Sequence, residues 1–201
     1  MQRYFLLMCC FLICSSKAHA QHATTKDTSK SCSPPDSYSV NVILSPQQTD
    51  MWCWAASGEM VMKALRPRTT VTQCDEANKR FGFSECCDRP TPAKCIEGGW
   101  PEFKKYNFDN DVKQGALTFS EVQQEIFCNK RPFAFSWRWV GGGGHMMVVT
   151  GYKTVNGTVY IIKDDPWPPN QGQDSVAITY DFYVQGSDHT HWDDYYKVVP
   201  Q

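Results

Sequence analysis

The chain has 201 residues, 41% of them hydrophobic, and its 20 Lys and Arg against 21 Asp and Glu give a formal net charge of −1. This balance, without a long run of one charge, gives no support to nucleic acid as a partner. The length fits one domain with a full hydrophobic core.

Residues 1–20 have the pattern of a secretory signal peptide. Arg3 supplies a positive start, residues 4–14 form an apolar stretch too short to span a bilayer, and residues 18–20 are a small-x-small cleavage motif. A membrane anchor is disfavoured by the polar residues that follow, and a lipid-modified cysteine by the large residue before it. We expect cleavage after Ala20 and a secreted or periplasmic protein, with no membrane partner in its mature form.

The cysteines outside the signal peptide are odd in number. They are Cys32, Cys53, Cys74, Cys86, Cys87, Cys95 and Cys128. In an oxidising compartment an odd number leaves one thiol unpaired, and six paired cysteines allow 15 connectivities, so the sequence alone does not identify the free one. A zinc site is disfavoured because the cluster at residues 74–95 has no CxxC pair and no histidine.

Helices are predicted in the first half of the mature chain. Residues 21–39, rich in Thr, Ser and Pro, are expected to be a flexible N-terminus tied down by Cys32. A single domain over 40–201 then begins with a short strand at 40–44. Periodicity, caps and stops predict helices over 50–65, over 72–81 with Gly82 as its stop, and over 119–128 with Thr118 or Ser120 as its cap. Residues 84–101, crowded with Cys, Pro and Gly, predict a loop stapled by disulfides.

Strands are predicted in the second half. The β-branched and aromatic runs lie at 132–140, 145–152, 158–163, 175–184 and 196–199. Asn156-Gly157 between two of these runs is a strong hairpin signal. Helices followed by strands predict an α+β domain, in which an N-terminal helical lobe packs on a C-terminal antiparallel sheet.

Cys53 lies within QQTDMWCWAAS, at residues 47–57, where a polar segment gives way to a helical pattern. At a helix N-terminus the dipole and the free N–H groups favour the thiolate over the thiol, which makes the sulfur a nucleophile. A cysteine in a secreted protein is more commonly half of a disulfide. A nucleophilic role therefore requires a matching base elsewhere in the chain.

His145 is the candidate base. A run of four glycines at 141–144 leads directly into a predicted strand and places His145 at its first position, where a substrate can approach closely. A histidine there can take the thiol proton and return it to a leaving amine, whereas the structural alternative is a solvated loop histidine. His189 and His191, in SDHTHWDD, are expected in a solvated loop, with adventitious metal binding as the alternative.

Carboxylates follow the strand that the hairpin pairs with the strand of His145. A carboxylate bonded to one imidazole nitrogen fixes the ring and its tautomer. Asp165, held extended by Pro166, is the preferred candidate. Asp164 is the fallback, although in a continuing strand it points to the opposite face.

Gln47, upstream of the predicted helix, is a candidate for stabilising an oxyanion. Its amide N–H can point at the developing negative charge, with the backbone N–H of Cys53 as the second donor. Gln48 is the fallback for this role.

Three motifs in this order, QxxxxxCW, GHxxxVxGY and a strand ending in DPW, resemble the papain-like cysteine peptidases. The resemblance is closest to a secreted bacterial branch with a WCWAA nucleophile motif. It implies the papain-like fold, with Cys53 as nucleophile, His145 as base, Asp165 as third member and Gln47 as oxyanion residue. The short interval from Cys53 to His145 is a departure from the classical members that implies a trimmed domain. An Asp stands in place of their usual Asn, as it does in the bacterial branches.

The segment CIEGG at residues 95–99 resembles the Cys-x-Gly-Gly region that lines the substrate cleft in this family, with one residue inserted. It implies that Gly98, Gly99 and Trp100 bind substrate. We further expect Trp52 to line the cleft beside the thiol and Trp54 to lie in the core.

Peptide-bond hydrolysis through a Cys–His–Asp triad and a thioester acyl-enzyme is the function that these motifs favour. It needs no metal or organic cofactor. A monomer acting on a protein or peptide substrate is expected. Because triad chemistry does not select the acyl group, an amidase or peptidoglycan hydrolase is an alternative within enzymes. A catalytically inactive papain-like binding module is the alternative outside them.

Overall fold

The computed structural model describes residues 32–201. The predicted signal peptide and residues 21–31 of the predicted flexible N-terminus lie outside the described residues. The strands are β1 (Ser37–Ser39), β2 (Phe108–Gln114), β3 (Phe133–Trp139), β4 (Gly144–Val155), β5 (Thr158–Asp165), β6 (Gln173–Thr179) and β7 (His189–Pro200). The helices are α1 (Cys53–Leu65), α2 (Gln73–Phe81), α3 (Phe119–Gln123) and α4 (Tyr180–Val184).

All the strands belong to one antiparallel sheet. Its order is β2-β7-β3-β4-β5-β6, and β1 pairs with a further part of β4. The last strand of the chain, β7, therefore lies between β2 and β3, away from its neighbours in sequence. The predicted α+β class with an antiparallel sheet is confirmed.

Side chains alternate along β4 and divide the buried residues between two faces of the sheet. Met146 and Val148 belong to one core with Met60 of α1, while Met147 and Val149 belong to a second core on the other face. Helix α1 packs on β3, β4 and β7. The nucleophile candidate at its start is thereby carried by an element that lies directly against the central strands.

Helix α1 begins at Cys53, later than the predicted residue 50. The residues before it form a turn in which the N–H of Trp52 donates to the carbonyl of Thr49 at 3.3 Å. The first N–H groups of a helix have no acceptor within that helix. Cys53, as the first helical residue, therefore lies among such free donors, as the sequence predicts.

Helix α2 confirms its predicted stop at Gly82, and helix α3 confirms Thr118, one of its two predicted caps. Thr72 and Thr118 each accept a hydrogen bond from the N–H three residues on, and an acidic side chain there completes a capping box. Gly82 ends α2 in the left-handed region, with φ 73°. Helix α3 continues as a π-helical turn over Gln124–Cys128, so the predicted helix has the right extent. Within residues 32–201 no helix is long and apolar enough to cross a membrane.

The N-terminal boundary differs from the prediction. The expected strand at 40–44 is absent, and β1 lies earlier, opposite Gly151–Lys153 of β4. The predicted flexible segment thus ends before Ser37, and the sheet begins before residue 40. The pairing partner is more than a hundred residues away in sequence, so local pattern does not reveal it.

Two regions in the second half of the chain differ from the predicted strands. Strand β2, with the polar sequence FDNDVKQ, forms because it can pair with β7 at the edge of the sheet. The predicted strand at 175–184 divides into β6 and α4, since the Thr179 side chain accepts from the N–H of Phe182 and caps a helix there.

The expectation of a solvated loop at His189 and His191 is wrong, because both lie in β7 with buried side chains. Nδ1 and Nε2 of His189 contact Asp188 and the Phe182 carbonyl. Nδ1 and Nε2 of His191 contact the Tyr183 carbonyl and Asp194. Both histidines thus join the sheet to α4 and the turn that follows it.

Disulfides account for all but one cysteine of the described residues. The pairs are Cys32–Cys128, Cys74–Cys87 and Cys86–Cys95, and Cys53 is free. The two bridges within residues 74–95 confirm the predicted stapled loop and occupy the sulfurs that a zinc ion would need.

A carboxyl group is buried where α2 packs on α1. Glu76 is 2% exposed, and in the described part of the chain neither of its carboxyl oxygens has a hydrogen-bond partner. A Cβ at Gly58 of α1 would lie 2.5 Å from Glu76 Oε2, so glycine allows this close packing. Burial, followed by the negative charges of Glu59, Asp75 and Glu102, raises the pKa of Glu76 well above its usual value.

The disulfides predict the thiol count of the oxidised protein. Iodoacetamide applied without reductant should add one carbamidomethyl group, on Cys53, and mass spectrometry of tryptic peptides would locate it. The Cys53→Ala variant should take up none under the same conditions. An adduct on any of the six paired cysteines would contradict the pairing.

Glu76→Gln should make stability less dependent on pH. The unfolded chain ionises Glu76 near its usual pKa and the folded chain only at higher pH, so the unfolded state binds fewer protons and stability falls as pH rises. Urea unfolding at pH 5 and pH 8 should show a smaller loss of unfolding free energy in the variant.

Glu85→Gln is the matched control for this measurement. Hydrogen bonds from Lys94 and the backbone lower the pKa of Glu85 to about 2, and its side chain is on the surface. Its carboxyl is therefore ionised at both pH values in the folded protein, and the variant should keep the wild-type dependence. Equal losses in wild type and Glu76→Gln would refute the buried neutral carboxyl.

Candidate active site

A cleft of about 670 Å³ lies between the start of α1 and the ends of the central strands. It brings together residues that are far apart in sequence. The predicted site residues that line it are Cys53, Gly98, Gly99, Trp100, His145 and Asp165.

His145 and Asp165 are joined across neighbouring strands. Nε2 of His145 lies 2.6 Å from Oδ1 of Asp165, and the same oxygen accepts the backbone N–H of Trp167 at 2.9 Å. Asp164 faces away from His145, since its Oδ1 accepts the N–H of Ser175 at 2.9 Å. The geometry therefore selects Asp165 over Asp164 as the partner of His145.

The electrostatics of the site favour charged forms of both partners. Burial lowers the pKa of His145, but hydrogen bonds to Asp165 and Cys53 and their negative charges outweigh it and raise that pKa to about 9. Burial raises the pKa of Asp165, but His145 and Lys163 outweigh it and hold that pKa at about 2. An imidazolium beside an ionised carboxylate is thus stable at neutral pH.

Lys163 is a contact that the sequence reasoning missed. Its Nζ lies 2.8 Å from Oδ2 of Asp165, and its side chain is 6% exposed. The signal was present in the sequence, because Lys163 and Asp165 are two residues apart in a strand and so share a face.

Gln47 does not line the cleft. It is fully buried, and its Nε2 donates to the carbonyl of Thr49 at 2.7 Å, inside the turn that precedes α1. Its backbone N–H donates to the carbonyl of Pro166 at 3.0 Å, which ties this turn to the residue after Asp165. Gln48 accepts from Arg89 at 2.9 Å and is turned away to the surface, so it is not an alternative.

The two tryptophans beside Cys53 are both buried. Trp54 lies in the core as expected, but Trp52 is also fully buried and does not line the cleft, so its expected position in the wall is wrong. Their indole N–H groups donate to the carbonyls of Cys95 and Glu97, at 2.7 and 3.1 Å. Both rings therefore hold the segment that ends in Gly98 and Gly99.

Gly99 is packed tightly against Arg80 and Trp54. A Cβ there would lie 2.7 Å from Arg80 Nε and from Trp54 Cε2. Trp100, half exposed, covers the Arg80 guanidinium, whose central carbon lies 3.7 Å from the ring centroid. The wall on this side of the cleft is thus a backbone segment without bulky side chains, followed by one exposed aromatic ring.

The opposite wall comes from strands that the sequence did not place near Cys53. It includes Trp137 and Trp139 of β3 and Trp192, Asp193 and Tyr195 of β7. The β7 residues have no local signal, because their position depends on the pairing of β7 with β3.

Comparisons with solved structures agree with this architecture. A digestive procathepsin L 3 from the larval midgut of Tenebrio molitor has a TM-score of 0.54 at 14% identity, covering 84% of this chain and 72% of that chain. A structure from work on the mite allergens Blo t 1 and Der p 1 has a TM-score of 0.48 at 13% identity, with coverage of 84% and 73%. The procathepsin likeness supports a papain-like fold.

Comparison with curated protein sequences finds no match. A family model described as "Papain-like cysteine protease AvrRpt2" matches residues 36–181, which is most of the chain and contains Cys53, His145 and Asp165. This family match confirms the predicted papain-like fold and cysteine peptidase activity. A protein substrate follows from that activity. The chain belongs to the papain-like cysteine protease AvrRpt2 family and is a cysteine peptidase.

Proposed function

We propose that this chain is a secreted peptidase that cleaves protein substrates with Cys53, His145 and Asp165 as its catalytic triad. The observation that carries the proposal is the arrangement at the cleft. Cys53, the free cysteine that begins α1, shares the cleft with His145 and interacts with it, and Nε2 of His145 is bonded to the buried carboxylate of Asp165. This is the set of groups that activates a thiol nucleophile.

The Cys53 thiolate attacks the scissile carbonyl carbon and forms a tetrahedral oxyanion. His145, as imidazolium, gives its proton to the leaving amine, and a thioester to Cys53 remains. Water then attacks the thioester with His145 as base, which releases the acid and restores the thiol. The raised pKa of His145 supports this order of steps, because the imidazolium must persist at neutral pH to act first as an acid.

The oxyanion is proposed to be stabilised by the backbone N–H of Cys53 and by the amide of Gln47. Gln47 Nε2 carries two hydrogens, of which the Thr49 carbonyl takes one. The second is the donor proposed for the oxyanion. Since Gln47 is fully buried, this role requires the substrate carbonyl to displace the atoms that cover it.

The substrate is proposed to lie as an extended chain between the two walls. Gly98 and Gly99 present backbone without side chains, so a peptide can approach them closely. Trp100 on one side and Trp139 and Trp192 on the other supply apolar surface for its side chains.

Secretion is proposed through the signal peptide at residues 1–20, with cleavage after Ala20. The disulfides support it, because such bonds persist in oxidising compartments outside the cytosol. Amino-terminal sequencing of the exported protein would test the cleavage site, and a chain that begins before residue 21 would contradict it.

Cys53→Ala should abolish cleavage of unfolded casein, by at least about a thousandfold, because no other group can form the acyl-enzyme. Circular dichroism should show an unchanged fold. Ser57→Ala, one helical turn further along α1 and buried without a hydrogen-bond partner among residues 32–201, is the matched control and should keep activity. Casein cleavage by Cys53→Ala would refute the assignment, and cleavage of muropeptides in place of casein by wild type would favour the amidase alternative.

The alkaline limb of the activity profile should have a midpoint near pH 9. The raised pKa of His145 means that the imidazolium is present below that pH and is lost above it. Asp165→Asn should move the midpoint of kcat/KM to lower pH, because the charge that stabilises the imidazolium is removed. Asp164→Asn, at the adjacent residue that faces Ser175, should leave the midpoint where it is. An unmoved limb in Asp165→Asn would count against Asp165 as the third member.

A further inference from the structure

The two carboxylate oxygens of Asp165 have different hydrogen-bond partners. Oδ1 takes His145 Nε2 at 2.6 Å and the N–H of Trp167 at 2.9 Å, and Oδ2 takes Lys163 Nζ at 2.8 Å. A carboxylate held only at Oδ1 can rotate about its Cβ–Cγ bond and bend the hydrogen bond to the imidazole. The contact from Lys163 to the second oxygen prevents that rotation.

Lys163 is itself held in one place by the sheet. It lies in β5 between Val149 of β4 and Val176 of β6, so neighbours on both sides fix its backbone. Its side chain is nearly buried, with Nζ 5.9 Å from the centroid of the Trp137 ring. Within residues 32–201, Asp165 is the carboxylate that forms an ion pair with it.

Burial of an ammonium group is costly unless a counter-charge is beside it. A lysine that served only to fill space here could be replaced by an apolar residue. The Nζ of Lys163 is instead directed at the carboxylate next to the imidazole, and this contact points to a role in the site. The charge also keeps the buried Asp165 ionised, since Lys163 is among the causes that hold the pKa of Asp165 at about 2.

We propose that Lys163 is a positioning residue, a fourth member behind Cys53, His145 and Asp165 that locks the carboxylate so that Oδ1 faces the imidazole. The proposal rests on the proposed triad and extends it. Lys163 lies behind Asp165, with the carboxylate between its ammonium group and His145. It acts on the reaction only through Asp165.

The effect of losing Lys163 depends on the other charged groups near Asp165. His145 from β4 contacts Asp165 directly, and Cys53 from α1 contacts His145; Asp164 on β5 and Asp174 next to it interact on the other face. Among residues 32–201, His145 is then the one partner left in an ion pair with Asp165. The carboxylate then accepts a proton at higher pH, and its orientation towards the imidazole loosens.

Lys163→Met tests this role. We expect kcat on a fluorogenic peptide to fall about 10- to 100-fold, the cost of a small misplacement of catalytic groups, with KM unchanged. The acid limb of the pH profile should move to higher pH. Lys163→Arg, which keeps charge and donors, should restore most of kcat and the wild-type limb. Lys153→Met, a lysine of β4 outside the cleft, is the control and should match wild type.

A second readout separates this proposal from the proposed function. The rate of Cys53 alkylation by iodoacetamide, followed against pH, reports the thiolate–imidazolium pair without any peptide substrate. If wild type fails to cleave protein but Lys163→Met shifts the alkylation profile, the peptidase proposal fails and the role of Lys163 stands. If wild type cleaves protein and Lys163→Met keeps both kcat and the alkylation profile, Lys163 is a structural residue only.

Folding of the variant is checked by thermal unfolding. A loss of Tm with unchanged kcat and unchanged limbs would overturn the positioning role. If Lys163→Met does not fold, Lys163→Gln is measured by the same two readouts. Glutamine keeps a hydrogen-bond donor but carries no charge. An unshifted acid limb and wild-type kcat in Lys163→Gln would overturn the role of the charge.

Discussion

A 2.6 Å hydrogen bond joins His145 Nε2 to Asp165 Oδ1, and the arrangement of the cleft depends on it. It forms because β4 and β5 are consecutive antiparallel strands linked by the Asn156-Gly157 turn, so the start of one lies beside the end of the other. The bond leaves the other imidazole nitrogen for Cys53, and it stabilises the charged ring in a partly buried position where burial alone would favour the neutral form. Loss of the bond would therefore change both orientation and charge.

Cys53 is brought to this pair by the packing of α1 on the sheet and by two sets of contacts to backbone carbonyls. The turn before α1 is tied to the loop after β5 by the bond from Gln47 N–H to the Pro166 carbonyl. The tryptophans on either side of Cys53 tie the helix to the wall segment through the carbonyls of Cys95 and Glu97. The residues that flank the thiol in sequence thus build the support of the cleft, while exposed rings further away, such as Trp100 and Trp192, form its surface.

Polar side chains buried behind the cleft hold neighbouring elements in place through paired contacts. Lys163 fixes Asp165 from behind, and His189 and His191 join β7 to α4 through paired contacts on both ring nitrogens. His189 also stacks on Trp137, with ring centroids 3.8 Å apart, and Trp137 lines the cleft. Satisfied polar contacts of this kind hold one geometry, because a small displacement leaves a buried group without its partner.

Local chemistry in the sequence determined helix α1, the stop of α2 at Gly82, the cap of α3 and the hairpin, and it singled out Cys53, His145 and Asp165 as candidates. These features depend on neighbours within a few residues: a polar-to-helical transition, a glycine after one helical pattern, a Thr or Ser before another, a glycine run, and an aspartate before a proline. Period-two alternation also favoured Asp165 over Asp164, which stayed the fallback. Tertiary structure alone decided the disulfide partners, the placement of β1 and β2, the burial of Trp52, His189 and His191, and the contribution of β7 to the cleft. Each of these depends on which distant strand supplies hydrogen-bond partners and covers the side chains, and a pattern read along the chain does not contain that information.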